Sequence, residues 1–405
     1  MKNPNSLLLF FLSVIFISGC AKTTQENPPV LPTPPVSLAP PRVDTMLTID
    51  AGYYTVTGRD STIPRGEILM ALNSDFQGKL FFLDQRGSLL REKPLPVKVE
   101  NLQKWVVGGV VRYTYFQTRG PSTLEGNLGI EVGYEMVCDS NLNIIDSVKM
   151  QSFGNVNTAV QDKLDVHEFI FLEDKHYISE TYYAEIPNNI PDSLHPAAGV
   201  RVASCIIQET KNGQVIFHWD GAQFPELFSS SVENNNFSDT STLHDYLHLN
   251  SICIDSLDNN LVVSFRNLNE IVKISRQTGQ IMWRLGGNKS DFALSADQEF
   301  LRQHFAHMIE NGKTLIFLDN GLDSIRPYSR VLEFQLDEST HTITNFKSFS
   351  IPDNFIRFAG SVQKEGNNYF IGGGSAKYSL EVNYITNQSL VRLKLEYPSY
   401  RVLKY

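Results

Sequence analysis

The fold is decided by four apolar segments between Asp245 and Gly287: Asp245-Tyr-Leu-His248-Leu-Asn250-Ser-Ile-Cys-Ile, Leu261-Val-Val-Ser-Phe-Arg266, Glu270-Ile-Val-Lys-Ile and Gln280-Ile-Met-Trp-Arg-Leu285. They are rich in β-branched and aromatic residues, and several alternate apolar with polar positions, which is typical of β-strands. The turn signals Asp258-Asn-Asn260 and Thr278-Gly279 separate them. The stretch therefore predicts a sheet of four antiparallel strands joined by short connections.

The same four-strand pattern recurs along the chain. The next copy covers 303–350, and a third covers 165–221 with an insertion near 186–198. A fourth fits 355–398, and two looser copies fit 66–96 and 101–150. Repeats of roughly 40 to 50 residues with four strands each are typical of β-propeller blades. We predict an all-β, six-bladed β-propeller of four-stranded antiparallel blades; seven blades is the alternative if residues 44–65 hold more than one closing strand.

A pair of β-sandwiches and a β-helix are the other architectures compatible with so many strands. The blade ending Gly279-Gln-Ile-Met-Trp283 recurs as Gly213-Gln-Val-Ile-Phe-His-Trp219, which indicates repeats and argues against a Greek key. A β-helix requires shorter rungs.

Composition places the chain among globular proteins and argues against nucleic acid as a partner. Of its 405 residues, 41% are hydrophobic and 20% are charged, as in ordinary folded domains. The formal net charge is -9, and no basic run interrupts the sequence. A nucleic-acid-binding face requires such a concentration of lysine and arginine.

The N-terminus has the features of an export signal. Lys2 precedes an apolar run, 7–17, that is too short to span a bilayer and continues into Ser-Gly-Cys20. This resembles a bacterial lipoprotein signal, in which small residues precede the cysteine that receives the lipid. We expect a signal peptide at 1–19, lipidation of Cys20, a proline-rich linker at 20–43 and the propeller at 44–405. The expected product is an exported lipoprotein, anchored to a membrane and facing the periplasm or the cell surface.

Three further cysteines, Cys138, Cys205 and Cys253, lie in apolar, strand-like segments. The sequence is consistent with one disulfide between two of them and equally with three unpaired thiols in strands.

Three histidines begin the predicted inner strands of successive blades: His167, His248 and His304. The inner strands of a propeller line its central channel, so these side chains are expected to converge. Side chains alternate along a strand, which predicts that His248 and Asn250 point the same way. A hairpin centred near Asp258 would place Arg266 opposite Asn250, and such a set of groups suits a small oxyanion.

The same hairpin reasoning around Asn311-Gly312 places Asp319 or Asn320 beside His304, where either side chain could orient the ring. A single histidine at the start of a strand is usually a polar residue at a rim, but three at equivalent places favour a site. The other histidines are assigned to surface or packing (His176, His195, His218 and His341), except His244 and His307, which neighbour the site without evident partners.

Together these residues resemble a known family, the bacterial arylsulfate sulfotransferases. The resemblance is carried by His248-Leu-Asn250-Ser-Ile, Ser264-Phe-Arg266, Val272 through Gly287, Gln303-His304-Phe-Ala, Phe317-Leu-Asp-Asn320 and Ser329-Arg330. It is strong over 245–335 and extends more weakly from about 160 to the C-terminus. Phe305 departs from the family, which often has a polar or acidic residue after the nucleophilic histidine.

The resemblance implies an exported six-bladed propeller that moves a sulfuryl group from a phenolic sulfate ester to a phenol, without a nucleotide donor and without a cofactor or metal. It implies a sulfated histidine intermediate, with His304 as the nucleophile. His248, Asn250 and Arg266 match the sulfuryl-binding groups, and His167 matches a further active-site histidine. Asp319, Asn320 and Arg330 are candidate supporting residues.

Three other functions compete with this one. The first is a quinoprotein-type dehydrogenase, although such propellers usually repeat a tryptophan motif in most blades and this chain has 3 Trp. The second is a metallohydrolase built on His244, His248, His304 or His307, which lacks an evident carboxylate set. The third is a surface-tethered binding propeller without turnover.

Overall fold

Six sheets of four or five strands form the described part of the protein, and their strands are antiparallel except for one short strand added in parallel to the third sheet. The structure, a computed structural model, describes residues 52–59, 63–74, 77–119, 129–154, 156–351 and 355–405. The predicted signal peptide at 1–19, Cys20 and the linker at 20–43 lie outside these residues. Within the described ranges, no helix is both long enough and apolar enough to cross a membrane.

The strands, in chain order, are as follows. Blade 1 contains β2 (Glu67–Ser74), β3 (Gln77–Asp84) and β4 (Leu89–Leu95), and β1 (Tyr54–Arg59) precedes them in the chain. Blade 2 contains β5 (Val99–Val107), β6 (Val110–Thr118), β7 (Val132–Cys138) and β8 (Ile144–Val148), with the short β9 (Leu164–Asp165) added to β7. Blade 3 contains β10 (Phe169–Glu173), β11 (His176–Glu185), β12 (Arg201–Lys211) and β13 (Gln214–Asp220), with β14 (Leu243–His244) added to β12.

Blade 4 contains β15 (Leu249–Ile254), β16 (Leu261–Phe265), β17 (Glu270–Ile274) and β18 (Ile281–Gly286). Blade 5 contains β19 (His304–Ile309), β20 (Thr314–Asp319), β21 (Arg330–Asp337) and β22 (Thr342–Ser350). Blade 6 contains β23 (Ser361–Glu365), β24 (Asn368–Gly372), β25 (Tyr378–Asn383) and β26 (Gln388–Leu395), and β27 (Val402–Lys404) ends the chain. One short helix, α1 (Pro225–Ser230), lies between blades 3 and 4, and the turns Asp192–Leu194, Gly221–Gln223, Arg266–Leu268, Gly287–Lys289 and Gly374–Ala376 are 3₁₀.

The described core consists of six apolar clusters, and each cluster joins two neighbouring blades. Between blades 4 and 5, for example, Val262 and Trp283 pack with Phe317 and Leu332. The middle strands are buried from both sides, so β16 is an uninterrupted buried run, Leu261–Phe265. Six interfaces for six sheets close the ring, which confirms the predicted six-bladed propeller.

The ring closes differently from the expectation. The predicted copy at 66–96 supplies three strands, and the innermost strand of blade 1 is the C-terminal β27, whose Val402 pairs with Met70. The N-terminal β1 becomes the outermost strand of blade 6, with Tyr54 opposite Leu395. Among the described residues of 44–65 there is thus one strand, and it extends an existing blade. Short β27 carries too little periodicity to be recognised from sequence.

The cysteines that the structure describes are unpaired: Cys138, Cys205 and Cys253 carry free thiols. The first two are buried, and burial raises the pKa of Cys138 to about 11. The thiol alternative is therefore the correct one for these three residues.

Candidate active site

The three histidines at the starts of the inner strands of blades 3, 4 and 5 meet on one side of the ring. The ring centroid of His167 lies 4.9 Å from that of His248 and 6.4 Å from that of His304. All three line one cavity of about 820 Å³ together with Arg266. Residues far apart in sequence thus converge as the propeller topology predicts.

His248 is fixed by an aspartate three residues before it. Its Nδ1 donates to Asp245 Oδ2 at 2.5 Å, and its main-chain N–H donates to Asp245 Oδ1 at 3.1 Å. The residue has a φ of 52°, a left-handed conformation that costs energy for a residue with a side chain. The two bonds to Asp245 hold it there, leaving Nε2 as the ring nitrogen without that bond.

His167 is fixed in the same way by Asp165, whose Oδ1 accepts from both the ring Nδ1 and the main-chain N–H. Glu180 stands next to this pair. One ligand atom each from Asp165, His167 and Glu180 all lie within 4.8 Å of one another. Burial, and then the charge of Asp165, raises the pKa of Glu180 well above its usual range.

His304 is held by groups of a different kind. Its Nδ1 donates to the main-chain carbonyl of Gly360 at 2.7 Å, and its Nε2 lies 3.0 Å from the hydroxyl of Tyr400. Burial, followed by the positive charge of Arg401 and by His167, keeps the pKa of His304 well below its usual range. A neutral ring with its hydrogen on Nδ1 carries a lone pair on Nε2, which is the form that can attack an electrophile.

The partner predicted for His304 is wrong. Leu318 is the residue opposite His304 in the hairpin, and a register shift follows between His304 and His307. Asp319 instead accepts hydrogen bonds from the main-chain N–H of Leu301 and from the side chains of Arg326 and Arg330. Asp319 and the two arginines form a buried ion cluster that bonds to the segment before His304.

The second predicted partner, Asn320, donates to the carbonyls of Ile356 and Ala359. Asn320 therefore holds the segment that leads to Gly360. Because the Gly360 carbonyl accepts a hydrogen bond from His304, Asn320 supports His304 indirectly.

The partner predicted for Arg266 is also wrong. A register shift between Leu249 and Ser251 places Arg266 opposite His248, whose carbonyl accepts the Arg266 N–H at 2.9 Å. The guanidinium still reaches the cavity, and burial lowers its pKa while Glu233 opposes that shift.

Asn250 lies outside the cavity wall. Its side chain is fully buried and donates from Nδ2 to the carbonyl of Gln303 at 2.6 Å. The bulge at this position turns Asn250 away from His248, although simple alternation predicts a shared face. Because Gln303 directly precedes His304, the contact of Asn250 is with the segment that carries the third histidine.

Tyr400 and Arg401 are site residues that sequence reasoning missed. The hydroxyl of Tyr400 is shared between Nε2 of His304 and the carbonyl of His167, at 3.0 and 3.3 Å. Burial raises the pKa of Tyr400 well above its usual value, so the hydroxyl keeps its hydrogen. Arg401 bonds to Glu168 at 3.0 Å and to the Asn250 carbonyl at 3.1 Å. Both residues arrive with the closing strand β27, for which the sequence offered no signal.

The cavity wall also carries charged and polar groups from blade 2 and its edges and from the connection before blade 4. Lys98, Glu100 and Glu131 line it, as do Glu233 and Asn234 from the connection before blade 4. Burial, and then the charge of Glu131, raises the pKa of Glu100 to about 8.

Two histidines of the competing metal hypothesis, His244 and His307, do not join His248 and His304 in the cavity wall. His244 bonds to the Asp239 carbonyl at 2.7 Å, and His307 bonds to the Phe305 carbonyl at 3.0 Å. Within the described ranges, the one set of three potential metal ligands is Asp165, His167 and Glu180, and His167 and Asp165 already bond to each other there.

Comparison with models of protein families gives a match over more than half of the chain. The sequence model of the family described as Arylsulfotransferase (ASST) matches residues 145–401. This range includes all three histidines, Arg266 and Tyr400. No curated protein sequence matches significantly.

Solved structures similar to this one are distant in sequence. Apo AztD from Citrobacter koseri is 7% identical, with coverage of 84% of this chain and 98% of that chain and a TM-score of 0.39. A putative 6-phosphogluconolactonase from Bacteroides fragilis is 11% identical, with 85% and 99% coverage and a TM-score of 0.40. A catalytically inactive virginiamycin B lyase from Staphylococcus aureus, with quinupristin, is 11% identical, with 84% and 99% coverage and a TM-score of 0.40. Likenesses this distant carry no information about activity.

Proposed function

Because the chain belongs to the arylsulfotransferase family, we propose that it transfers a sulfuryl group from a phenolic sulfate ester to a phenol through a covalent sulfohistidine at His304. Family membership supports sulfotransferase activity in general. The observation that carries the finer proposal is the difference between the three converging histidines. The Nδ1 atoms of His167 and His248 bond to aspartate carboxylates, whereas Nδ1 of His304 bonds to a neutral main-chain carbonyl.

The hydrogen-bond partner at Nδ1 determines which catalytic role suits each imidazole. A carboxylate at Nδ1 favours an imidazolium, so the two aspartates suit His167 and His248 to donate from Nε2 to a bound anion. For His248 this effect of Asp245 opposes burial, which lowers its pKa. A carbonyl at Nδ1 fixes the tautomer but favours the charged form only weakly against burial, so His304 is suited to attack. Its lowered pKa keeps the lone pair available at neutral pH.

In the first half-reaction Nε2 of His304 attacks the sulfur of the donor, and the bond from sulfur to the phenolic oxygen breaks. The sulfuryl oxygens carry negative charge, which Arg266 and His248 cover with charge-assisted hydrogen bonds. The phenolate leaves with the bonding pair, and a proton from His167 neutralises it. In the second half-reaction His167 takes the proton of the acceptor phenol, whose oxygen attacks sulfur as the N–S bond breaks.

Asn250 takes a positioning role in this scheme. Its amide donates to Gln303, one residue from the nucleophile, and its carbonyl accepts from Arg401. Its contribution is the placement of His304.

The test is release of 4-nitrophenol from 4-nitrophenyl sulfate in the presence of phenol. We expect phenol-dependent release by the wild type, none by His304→Ala, and a sulfated His304 peptide when acceptor is omitted. His307→Asn is the matched control, since His307 lies three residues away and outside the cavity wall. Release that survives His304→Ala, or a sulfate found on another residue, would rule out the covalent role of His304.

Export and anchoring are part of the same proposal. Residues 1–19 are the proposed signal and Cys20 the proposed lipid attachment site. Cys20→Ala is expected to move the protein from the membrane fraction to the soluble fraction. An unchanged membrane fraction contradicts the anchor and leaves the chemistry untouched.

A further inference from the structure

Glu233 stands between two arginines at the cavity wall. Its carboxylate forms a two-point ion pair with Arg302, at 2.6 and 2.8 Å, and a single contact of 3.2 Å with Arg266. Nothing in the proposed reaction requires a carboxylate beside the group that binds the sulfuryl oxygens. A negative charge at that place opposes the binding of any anion, so it calls for an explanation.

The arrangement is built into the fold. The N–H of Val232 donates to the Asn267 carbonyl at 2.9 Å, which joins the Glu233 segment to the turn that carries Arg266. The Ser231 hydroxyl donates to the Glu233 carbonyl at 2.7 Å. The N–H of Arg302 donates to the side-chain oxygen of Asn269 at 2.7 Å. Three segments from blade 4 and its flanking connections therefore fix the carboxylate between the two guanidinium groups.

The contact with Arg266 is the weaker of the two. The side chain of Arg266 also donates to Asn267 Oδ1 at 2.5 Å, so it keeps a partner when Glu233 gives way. Glu233 keeps its two-point pair with Arg302 in that event. Arg266 can thus turn toward a bound anion while the carboxylate stays close enough to act on it through space.

Counting charges gives the consequence. Glu233 cancels one of the two positive charges that Arg266 and Arg302 bring to this side of the site. A sulfate ester carries one negative charge, whereas inorganic sulfate carries two and an aryl phosphate carries two above a pH of about 6. The carboxylate repels a dianion twice as strongly as a monoanion at the same place. The other charged groups of the cavity wall, Lys98, Glu100 and Glu131, belong to blade 2 and are not part of this arrangement.

We infer that Glu233 is a specificity-determining residue that adjusts the site to monoanionic sulfate esters and rejects dianions such as aryl phosphates and inorganic sulfate. The inference rests on the proposed function for the identity of its substrate. It adds a selection by charge that the chemistry at His304 does not supply. The same repulsion also limits inhibition by inorganic sulfate.

The experiment measures equilibrium binding of 4-nitrophenyl sulfate and 4-nitrophenyl phosphate at pH 8 in a His304→Ala background, which prevents turnover. Glu233→Gln removes the charge and keeps the shape. We expect it to tighten phosphate-ester binding on the order of tenfold more than sulfate-ester binding. Arg302→Gln is expected to act in the opposite direction, weakening the phosphate ester more than the sulfate ester. Melting temperatures verify that both variants fold.

Equal changes for the two esters in Glu233→Gln overturn the inference, as does the absence of change. The inference is also overturned if one of the two esters binds to none of the three proteins, including the Glu233→Gln variant. The proposed function is judged separately, by phenol-dependent turnover of the wild type. A protein that binds both esters with the expected shift in ratio but releases no nitrophenol contradicts the transfer reaction and leaves charge selection standing.

Discussion

The phenolic oxygen of Tyr400 lies 3.0 Å from Nε2 of His304, although 96 residues separate them in sequence. Two hydrogen bonds therefore fix the orientation of the His304 ring. One joins Nδ1 to the Gly360 carbonyl, and the other joins Nε2 to this hydroxyl. The hydroxyl keeps its hydrogen because burial raises the pKa of Tyr400. A phenol is thus already next to the proposed nucleophile before any phenolic substrate arrives.

Tyr400→Phe is expected to lower kcat for nitrophenyl sulfate turnover about tenfold and to change KM little. The hydrogen bond from Tyr400 orients the attacking ring and contributes about 1 to 1.5 kcal/mol. Its loss should raise the barrier of the chemical step, which lowers kcat, and should leave substrate binding nearly unchanged. Steady-state kinetics on both substrates measure the split between kcat and KM.

Tyr53→Phe is the control, since its hydroxyl bonds to Ser74 and lies outside the cavity wall. An increase in KM with kcat unchanged would show that Tyr400 binds substrate and does not position His304.

Asp245→Asn is expected to reduce kcat at least tenfold while the protein stays folded. The carboxylate fixes the tautomer of His248 and supports a positive charge on its ring, and an amide of the same shape does not support that charge. Asp258→Asn is the matched control at a turn of the same blade. If Asp245→Asn keeps wild-type kcat, His248 acts as a neutral donor and needs no counter-charge.

How much of this follows from sequence depends on how far apart the interacting residues lie. Blade 4 was predictable because its β16 is buried on both faces and its turns are marked by Asn, Asp and Gly. The convergence of His167, His248 and His304 followed from one topological rule, that inner strands face the channel. Both conclusions use local patterns plus the repeat.

The errors came from bulges and from the closure of the ring. The hairpin is centred between Leu257 and Asp258 and not on Asp258, which shifts the partner of Arg266 by one residue. One extra residue at Asn250 shifts it by one more, to His248, and turns the Asn250 side chain away from the channel. A second irregularity after His304 removes Asp319 from its ring. Hairpin arithmetic assumes an unbroken ladder and cannot anticipate either. Tyr400 comes from the far end of the chain, two residues before the three-residue strand β27, so no local pattern predicts it.

The pH dependence of stability is expected to have opposite signs at two half-buried residues, His307 and Glu100. Burial lowers the pKa of His307 to about 4, so the unfolded chain binds its proton more readily than the folded one. The stability that a neutral His307 contributes is complete above about 6.5 and is lost as pH falls toward 4. Burial raises the pKa of Glu100 to about 8, so its contribution is complete below the ordinary value of 4.5 and is lost as pH rises through 8.

Urea denaturation between pH 4.5 and 9 measures both effects. The advantage of the wild type over Glu100→Gln should shrink by roughly 1 kcal/mol per pH unit between pH 6 and 8. The difference in free energy of unfolding between the wild type and His307→Asn should shrink as the pH falls below 6.5. Parallel curves for wild type and variant would contradict the corresponding pKa shift.

Arg401→Met is expected to destabilise the propeller by about 3 kcal/mol, because it leaves Glu168 buried without its partner. The double variant Arg401→Met with Glu168→Gln should recover part of this loss, since no uncompensated charge is left. Arg357→Met is the control, because its pair with Asp323 is exposed and is worth at most about 0.5 kcal/mol.

The same substitution has a second expected readout in the site. Arg401 lowers the pKa of His304 through its charge, so its removal should let that pKa rise. The acid limb of kcat/KM reports the free enzyme and should therefore move to higher pH in Arg401→Met. A loss of stability with an unmoved acid limb would mean that burial alone sets the pKa of His304, and that Arg401 serves only to close the ring.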